Sequence, residues 1–247
     1  MLKNKVDVSL VMPAYNEEAT IEEMVARVDR VLRETALKYE LIIVNDGSRD
    51  MTWRRALNFS LKNSNLKVVG YAVNQGKGYA IREGFSHASG DAVVFLDSDL
   101  DIAPGQISSY LQALKYGDLV IASKRHPRSV VEVPFLRRFL SYGFNIFVKL
   151  LTGLRVSDTQ TGLKAVRRKA LEPVFSVLTV RRFAFDVELL TVANLYGLKI
   201  VEMPVKIRLM NILFSPFQVW KMFVDLLGIS YRLRVLKWYQ RAPAGLC

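Results

Sequence analysis

Cysteine is nearly absent from this chain: of 247 residues only the last, Cys247, is one. That excludes a disulfide framework and a cysteine-based metal site, and a reducing compartment is the expected setting. An export leader is missing as well, because the apolar run after Lys3 and Lys5, Val8 to Met12, is too short for a signal-peptide core. The chain is therefore expected not to be exported. No glycine fingerprint follows that first apolar run, where Pro13-Ala14-Tyr15-Asn16-Glu17-Glu18 stands instead, so a nicotinamide-binding fold is excluded. Gly76-Lys77-Gly78 lacks the spacing and the following hydroxyl residue of a P-loop. Acidic residues are the minority charge: 23 against 35 Lys and Arg leave a formal charge of +12. Such a balance points to an anionic partner, whether nucleic acid, anionic lipid or a phosphorylated substrate. Apolar residues make up 51% of the chain, which argues against disorder and, at this length, for one large α/β domain.

The stretch that organises the rest runs from Asp91 to Ile102. Ala92-Val93-Val94-Phe95-Leu96 reads as a short buried strand, and Asp97, Ser98, Asp99 and Asp101 follow at its C-terminal end. In open α/β sheets ligands bind at that edge. Three carboxylates within five residues repel one another unless a cation neutralises them, and hard oxygen ligands suit Mg2+ or Mn2+. Asp101 has two readings, a third metal ligand or a cap on the helix beginning near Pro104.

Around this strand the chain alternates. Val6 to Met12, Leu41 to Val44, Val68 to Val73 and Leu119 to Ala122 are further strands, and helices are expected after Asn16 as N-cap, from Thr52 to Leu61, from Gly78 to Ala88 and from Pro104 to Leu114. This order predicts a doubly wound, mostly parallel sheet. Asp46, like Asp97, stands at the C-terminal edge of its strand.

The second half differs. At 134 to 154 polar residues recur every three or four positions, at Arg138, Ser141, Asn145, Lys149 and Thr152, within an otherwise apolar stretch. The pattern returns at 215 to 232, where Gln218, Lys221, Asp225, Gly228 and Arg232 form the stripe. Neither segment reaches the roughly 20 apolar residues of a transmembrane helix. Basic residues and aromatics on a wide apolar face suit helices lying in a membrane interface; two core helices are the alternative. From Val205 to Arg241 there are seven Lys or Arg and one acid, but no RNA-binding module, so a membrane surface rather than nucleic acid is the expected partner.

Taken together, Pro13 to Glu18, Asn45-Asp46-Gly47-Ser48, Gly76-Lys77-Gly78, Asp97-Ser98-Asp99, Asp158-Thr159-Gln160-Thr161-Gly162 and Phe185-Asp186-Val187-Glu188-Leu189 resemble the family-2 glycosyltransferases, especially the polyprenyl-phosphate branch of dolichyl-phosphate glucose and mannose synthases. The resemblance implies a GT-A fold and a metal-dependent, inverting transfer of a hexose from a nucleotide sugar to a lipid phosphate on the cytosolic face of a membrane. Its wording favours UDP-glucose, with GDP-mannose next. It implies that Pro13, Ala14, Tyr15, Glu17, Asp46, Lys77 and Ser98 meet the nucleotide sugar and that Asp97 and Asp99, with Asp101 as a third candidate, meet the metal. Residues 1–130 would form the donor half of the domain, and 131–247 the acceptor half with its interfacial helices and basic tail.

An acceptor phosphate is already ionised near neutral pH and needs fixed cations rather than a base. Lys124 and Arg125 are the candidates, with Arg128 and Arg137 beyond them; Ser123, Asp158, Gln160 and Glu188 complete the expected acceptor and sugar contacts. The family's Gly-Ser-Arg is replaced here by Ala122-Ser123-Lys124, and Asp101 stands where mannose synthases tend to carry glutamine. Two other readings stay open, a transferase of the same family with a soluble acceptor and a non-catalytic binding protein on the same fold.

Overall fold

The computed structural model describes residues 5–208 and 216–240, without the side chains of 135–137 and 216. In chain order the elements are β1 (Val8–Ala14), α1 (Ile21–Arg33), β2 (Tyr39–Asp46), α2 (Thr52–Ser60), β3 (Leu66–Tyr71), α3 (Lys77–His87), β4 (Ala92–Phe95), α4 (Ile107–Ala113), β5 (Leu119–Ser123), β6 (Val130–Glu132), α5 (Phe135–Thr152), β7 (Lys164–Arg167), α6 (Arg168–Val177), α7 (Phe185–Leu195), β8 (Ile200–Pro204), β9 (Lys206–Arg208) and α8 (Pro216–Arg234). Seven strands form one sheet in the order β3-β2-β1-β4-β7-β5-β8, and β6 pairs with β9 in a small second one. The large sheet is parallel except at β7, which runs antiparallel to both β4 and β5. Both halves of the chain thus share it.

Its central strands are apolar throughout because both faces are covered. Leu10 and Met12 of β1 and Val94 of β4 join the cluster beneath α1 and α4, while Val11, Val93 and Phe95 join the opposite cluster with α3, α6 and α7. The helices are set by spacing: in α1, Ile21, Met24, Val25, Val28 and Leu32 are all buried, with Glu22 and Glu23 in the first turn and Arg30 and Arg33 in the last.

Several expectations change here. Pro13 does not end β1 but lies within it, past the last β4 pair, Val11 with Phe95, where a missing N–H costs no ladder bond to β4. Asn16 is no helix cap. Its φ of 55° puts it in the left-handed region, and its side chain accepts the Arg49 N–H at 2.9 Å, joining two loops at the sheet edge; α1 begins at Ile21. The residue before the turn Pro104–Gln106 is Ala103, so neither Asp99 nor Asp101 caps it.

The two apolar helices each bury one face in the core, through Val148 of α5 and Leu226 and Ile229 of α8, and leave the other uncovered. Phe139 and Leu150 of α5 are 67% and 66% exposed, and Phe217 and Trp220 of α8 are 62% and 64% exposed. Much of the α5 polar stripe faces inward: Asn145 is buried, and the Ser141 carbonyl accepts the Arg125 guanidinium at 2.8 Å. Among the described residues no helix is long and apolar enough to cross a membrane.

Candidate active site

Where β4 ends, the chain leaves the core through Leu96 and turns at Asp97, Ser98 and Asp99. Ser98 is buried and its hydroxyl donates to the Pro13 carbonyl at 2.9 Å, tying this turn to the end of β1. Beside it, Gly162 packs so closely that a Cβ there would fall 2.0 Å from Oδ2 and 2.4 Å from Cγ of Asp97. The glycine of the Asp158 to Gly162 motif therefore makes room for the Asp97 carboxylate.

The Lys77 ammonium, from the first residue of α3, lies 2.7 Å from Oδ1 and 2.8 Å from Oδ2 of Asp97. It is 3.8 Å from Asp186, which in turn holds the buried Lys164 at 2.7 Å. Asp186, in the first turn of α7, is thus part of a chain of ion pairs. Burial opposes the charge on Lys77, but Asp97 and Asp186 outweigh it and raise its pKa. Asp99 is pushed up to about 7, first by burial and then by the neighbouring charges of Asp97 and Asp101. Glu17 rises for the same first reason, although Thr20 hydrogen-bonds to it. The site is short of positive charge around Asp99.

Asp46 is buried at the end of β2 and engaged by the following turn. Its carboxylate accepts the Gln75 N–H at 2.7 Å, the Gly76 N–H at 2.9 Å and the Asn74 amide at 2.9 Å. Gly47 permits this turn, since its φ is +65° and a Cβ would lie 2.5 Å from the Asn74 nitrogen.

All these elements open on one cavity of about 430 Å³. Pro13, Ala14, Tyr15, Glu17, Asp46, Lys77 and Ser98, the seven residues expected to meet the donor, line it together with Asp97 and Asp99. Residues the sequence reading did not assign to the site also line it: Arg182 and Phe183 before α7, and Gln218, Lys221 and Asp225 on α8. The last three were visible as the polar stripe of that helix. The stripe turns to the cavity, while Phe217 and Trp220 are exposed.

Asp101 stands apart from this lining, and its carbonyl accepts the Arg208 N–H at 3.0 Å. Among the described residues no three Asp, Glu, His or Cys side chains come together as a metal cage. Asp97 and Asp99 fit a site completed by substrate: both are oxygen donors at one cavity, Mg2+ and Mn2+ accept such ligands, and a cation would relieve the crowding that raises Asp99.

Among the described residues, the expected acceptor side chains do not line the cavity. Lys124 pairs with the buried Asp158 at 3.3 Å and donates to Thr161 Oγ1 at 3.0 Å; burial lowers its pKa despite that partner. The Arg125 guanidinium donates to the Ser157 and Ser141 carbonyls. Ser123 is buried against the Ser157 hydroxyl at 2.6 Å, and the Gln160 N–H donates to Asp158 at 3.0 Å. These groups bind the 123–125 and 157–161 segments to each other. Arg128 is exposed, and the side chain of Arg137 lies outside the described residues. Glu188 is 0% exposed, accepting the Thr179 and Val180 N–H groups at 2.9 and 2.7 Å and the Tyr239 hydroxyl at 2.5 Å. With its oxygens engaged, it holds a loop.

The family model described as "Glycosyl transferase family 2" matches residues 9–175. The dolichyl-phosphate beta-glucosyltransferase of Homo sapiens is 32% identical over 248 residues, covering 93% of this chain and 76% of that one. One of Trichomonas vaginalis is 31% identical over 250 residues, covering 93% and 75%. A dolichol-phosphate mannosyltransferase of Pyrococcus furiosus is 35% identical over 171 residues, covering 68% of this chain and 48% of its own. The crystal structure of glucosyl-3-phosphoglycerate synthase from Mycobacterium tuberculosis with uridine diphosphate has the same fold, with a TM-score of 0.67 at 24% identity over 92% of this chain and 79% of that one. Another crystal of that enzyme, at 22% identity and the same TM-score of 0.67, contains Mn2+ and UDP-glucose.

Proposed function

The chain belongs to glycosyl transferase family 2, and from that premise we propose that it moves a hexose from a nucleotide sugar to a polyprenyl phosphate of the dolichyl type at a membrane surface. The observation that carries this reading is the cavity at the β4 edge, where the seven expected donor residues meet Asp97 and Asp99. The glucosyltransferase relatives, matched over most of their length, favour glucose and therefore UDP-glucose; GDP-mannose is the second donor, on the strength of the mannosyltransferase relative.

Asp97 and Asp99 would hold Mg2+ or Mn2+, which when bound offsets the charge that builds on the departing diphosphate. Around it the protein does the rest. The Pro13 to Glu17 loop and Asp46 bound the nucleoside side of the cavity, and Lys77 fixes the Asp97 carboxylate from within the protein. A phosphate oxygen of the acceptor attacks the anomeric carbon as the bond from that carbon to the diphosphate oxygen breaks, a single displacement that inverts the centre. No base is required, since a phosphate monoester is largely dianionic at pH 7. Exposed apolar faces on α5 and α8 and the net positive charge support a peripheral seat on the anionic cytosolic leaflet. In this reading 1–130 supplies most of the donor site, and 131–247 supplies the membrane-facing helices and part of the cavity wall.

Labelled UDP- and GDP-sugars incubated with a polyprenyl phosphate and Mn2+ test the proposal. The expected product is labelled lipid from UDP-glucose. Labelled soluble acceptor with no labelled lipid from any donor would overturn it.

A further inference from the structure

Part of the donor-cavity wall is built from two elements that are distant in sequence. Arg182 and Phe183 come from the segment before α7, and Gln218, Lys221, Met222 and Asp225 from the first half of α8. Neither element belongs to the sheet whose edge fixes Asp46 and Asp97, so their spacing depends on the contacts behind them.

Those contacts converge on one tyrosine. A single turn after α8, Trp238–Gln240, places Tyr239 fully buried in the core. Its hydroxyl donates to Glu188 at 2.5 Å and accepts Nε of Arg232 at 3.0 Å, and its carbonyl accepts the Tyr196 hydroxyl at 2.9 Å. Beside it, Nε1 of Trp238 donates to the Val177 carbonyl at 3.1 Å. Glu188 also receives the Thr179 and Val180 N–H groups at 2.9 and 2.7 Å and the Thr179 hydroxyl at 2.8 Å, with the Arg232 guanidinium 3.6 Å away. A buried carboxylate depends on all of its donors, so α8, through Arg232, and the 179–180 backbone are tied to one point. The same end of α8 is clamped to α5, since the Ser230 hydroxyl donates to the Leu151 carbonyl at 3.1 Å and Arg234 to the Leu150 carbonyl at 2.7 Å. From Glu188 the 179–183 segment leads to the site: the Arg181 carbonyl accepts the Tyr79 N–H at 3.0 Å and lies 2.7 Å from where a Cβ on Gly76 would fall, against the turn that carries Lys77.

We propose that Tyr239 is a positioning residue of the donor site, holding α8 and the 179–183 segment in register through Glu188 and Arg232. Its own side chain does not line the cavity. The proposal rests on the reading of that cavity as the nucleotide-sugar site. A hydroxyl that only stabilises the fold can be lost without changing the affinity of the folded protein, whereas one that sets the wall of a site changes it. Tyr110 supplies the comparison. It is equally buried, its hydroxyl donates to the Pro204 carbonyl at 2.9 Å, and it sits in the cluster on the other face of the sheet, away from the cavity lining.

Tyr239→Phe and Tyr110→Phe in the full chain test the proposal with two readouts. Hydrogen exchange read by mass spectrometry should be faster at 179–183 and 217–225 in Tyr239→Phe and unchanged there in Tyr110→Phe. Calorimetric titration with UDP-glucose and with GDP-mannose, each with Mn2+, should give a Kd about fivefold higher in Tyr239→Phe for whichever donor the wild type binds, and within twofold of wild type in Tyr110→Phe. Both variants keep the ring and should melt cooperatively. Trp238→Phe, which removes only the bond to Val177 from an exposed side chain, should produce a smaller rise in the same exchange and the same Kd, and it decides the matter if Tyr239→Phe does not fold. Wild-type exchange or wild-type Kd in the Tyr239 variant, or an equal rise in both tyrosine variants, overturns the proposal and leaves the donor reading standing. A wild type that binds neither nucleotide sugar overturns the donor reading, and the proposal falls with it.

Discussion

Lys77 and Asp97 are joined at both carboxylate oxygens, at 2.7 and 2.8 Å, across twenty residues of sequence. The pair fixes the first carboxylate of the site before any substrate arrives. Because the Lys77 pKa is raised, its contribution to stability is fully present below its unfolded value of 10.5 and is lost only as pH climbs through the higher folded value. Lys77→Met should therefore lower the melting temperature at both pH 6 and pH 9, and more at pH 9, where the ionised Asp99 also loses the lysine charge, and it should cut transfer about 100-fold, the scale of losing one fixed charge at a reacting centre. Mn2+ should restore part of the lost melting temperature, since it supplies positive charge beside Asp97. No melting deficit at either pH, or one smaller at pH 9 than at pH 6, would refute this account.

Asp99 gives the opposite sign. Its pKa rises from an ordinary 3.8 to about 7, so between those values the folded chain holds a proton that the unfolded chain has released. Stability without metal should fall as pH rises through that window. Asp99→Asn should melt higher than wild type at pH 8 and alike at pH 4, yet lose nearly all transfer and the melting response to Mn2+. Wild-type rates in that variant would remove Asp99 from the metal site.

Gly162 tests how closely Asp97 is packed. A methyl group there would overlap the carboxylate, so Gly162→Ala should shift Asp97 and lower kcat at least tenfold with a smaller effect on the melting temperature. Gly105, with nothing within 4 Å of a Cβ, is the control, and Gly105→Ala should leave kcat unchanged. Equal kcat in the two variants would disprove the packing argument.

On α5 the residues nearest one another in sequence differ in what they face. Phe139 and Leu150 are exposed, whereas Phe144 packs against the core. The double change Phe139→Asp and Leu150→Asp should release the protein from anionic vesicles in a sedimentation assay and keep its melting temperature. Phe144→Asp should destabilise it by about 3–5 kcal/mol, the range for losing a large aromatic from packed surroundings. Unfolding of the double variant would mean that α5 is covered by protein and not by lipid.

The sequence by itself determined five parallel strands of the sheet and which residues stand at their C-terminal edge. Buried parallel strands must be apolar on both faces, so β1, β2 and β4 stand out as apolar runs, and the polar residues directly after them, Asp46 and Asp97 to Asp99, necessarily fall at the sheet edge. Helix spacing likewise marked Gln218, Lys221 and Asp225 as one face of α8. What that face meets was decided only by tertiary structure, because periodicity groups side chains without saying which group turns inward. The same holds for the cations. Lys124 is 34 residues from Asp158, and Arg125 is 16 and 32 residues from the carbonyls it meets, so nothing local reveals that their charge is already compensated. Arg182, an ordinary surface arginine in the sequence, lines the cavity because a buried glutamate and the start of α3 hold the backbone before it.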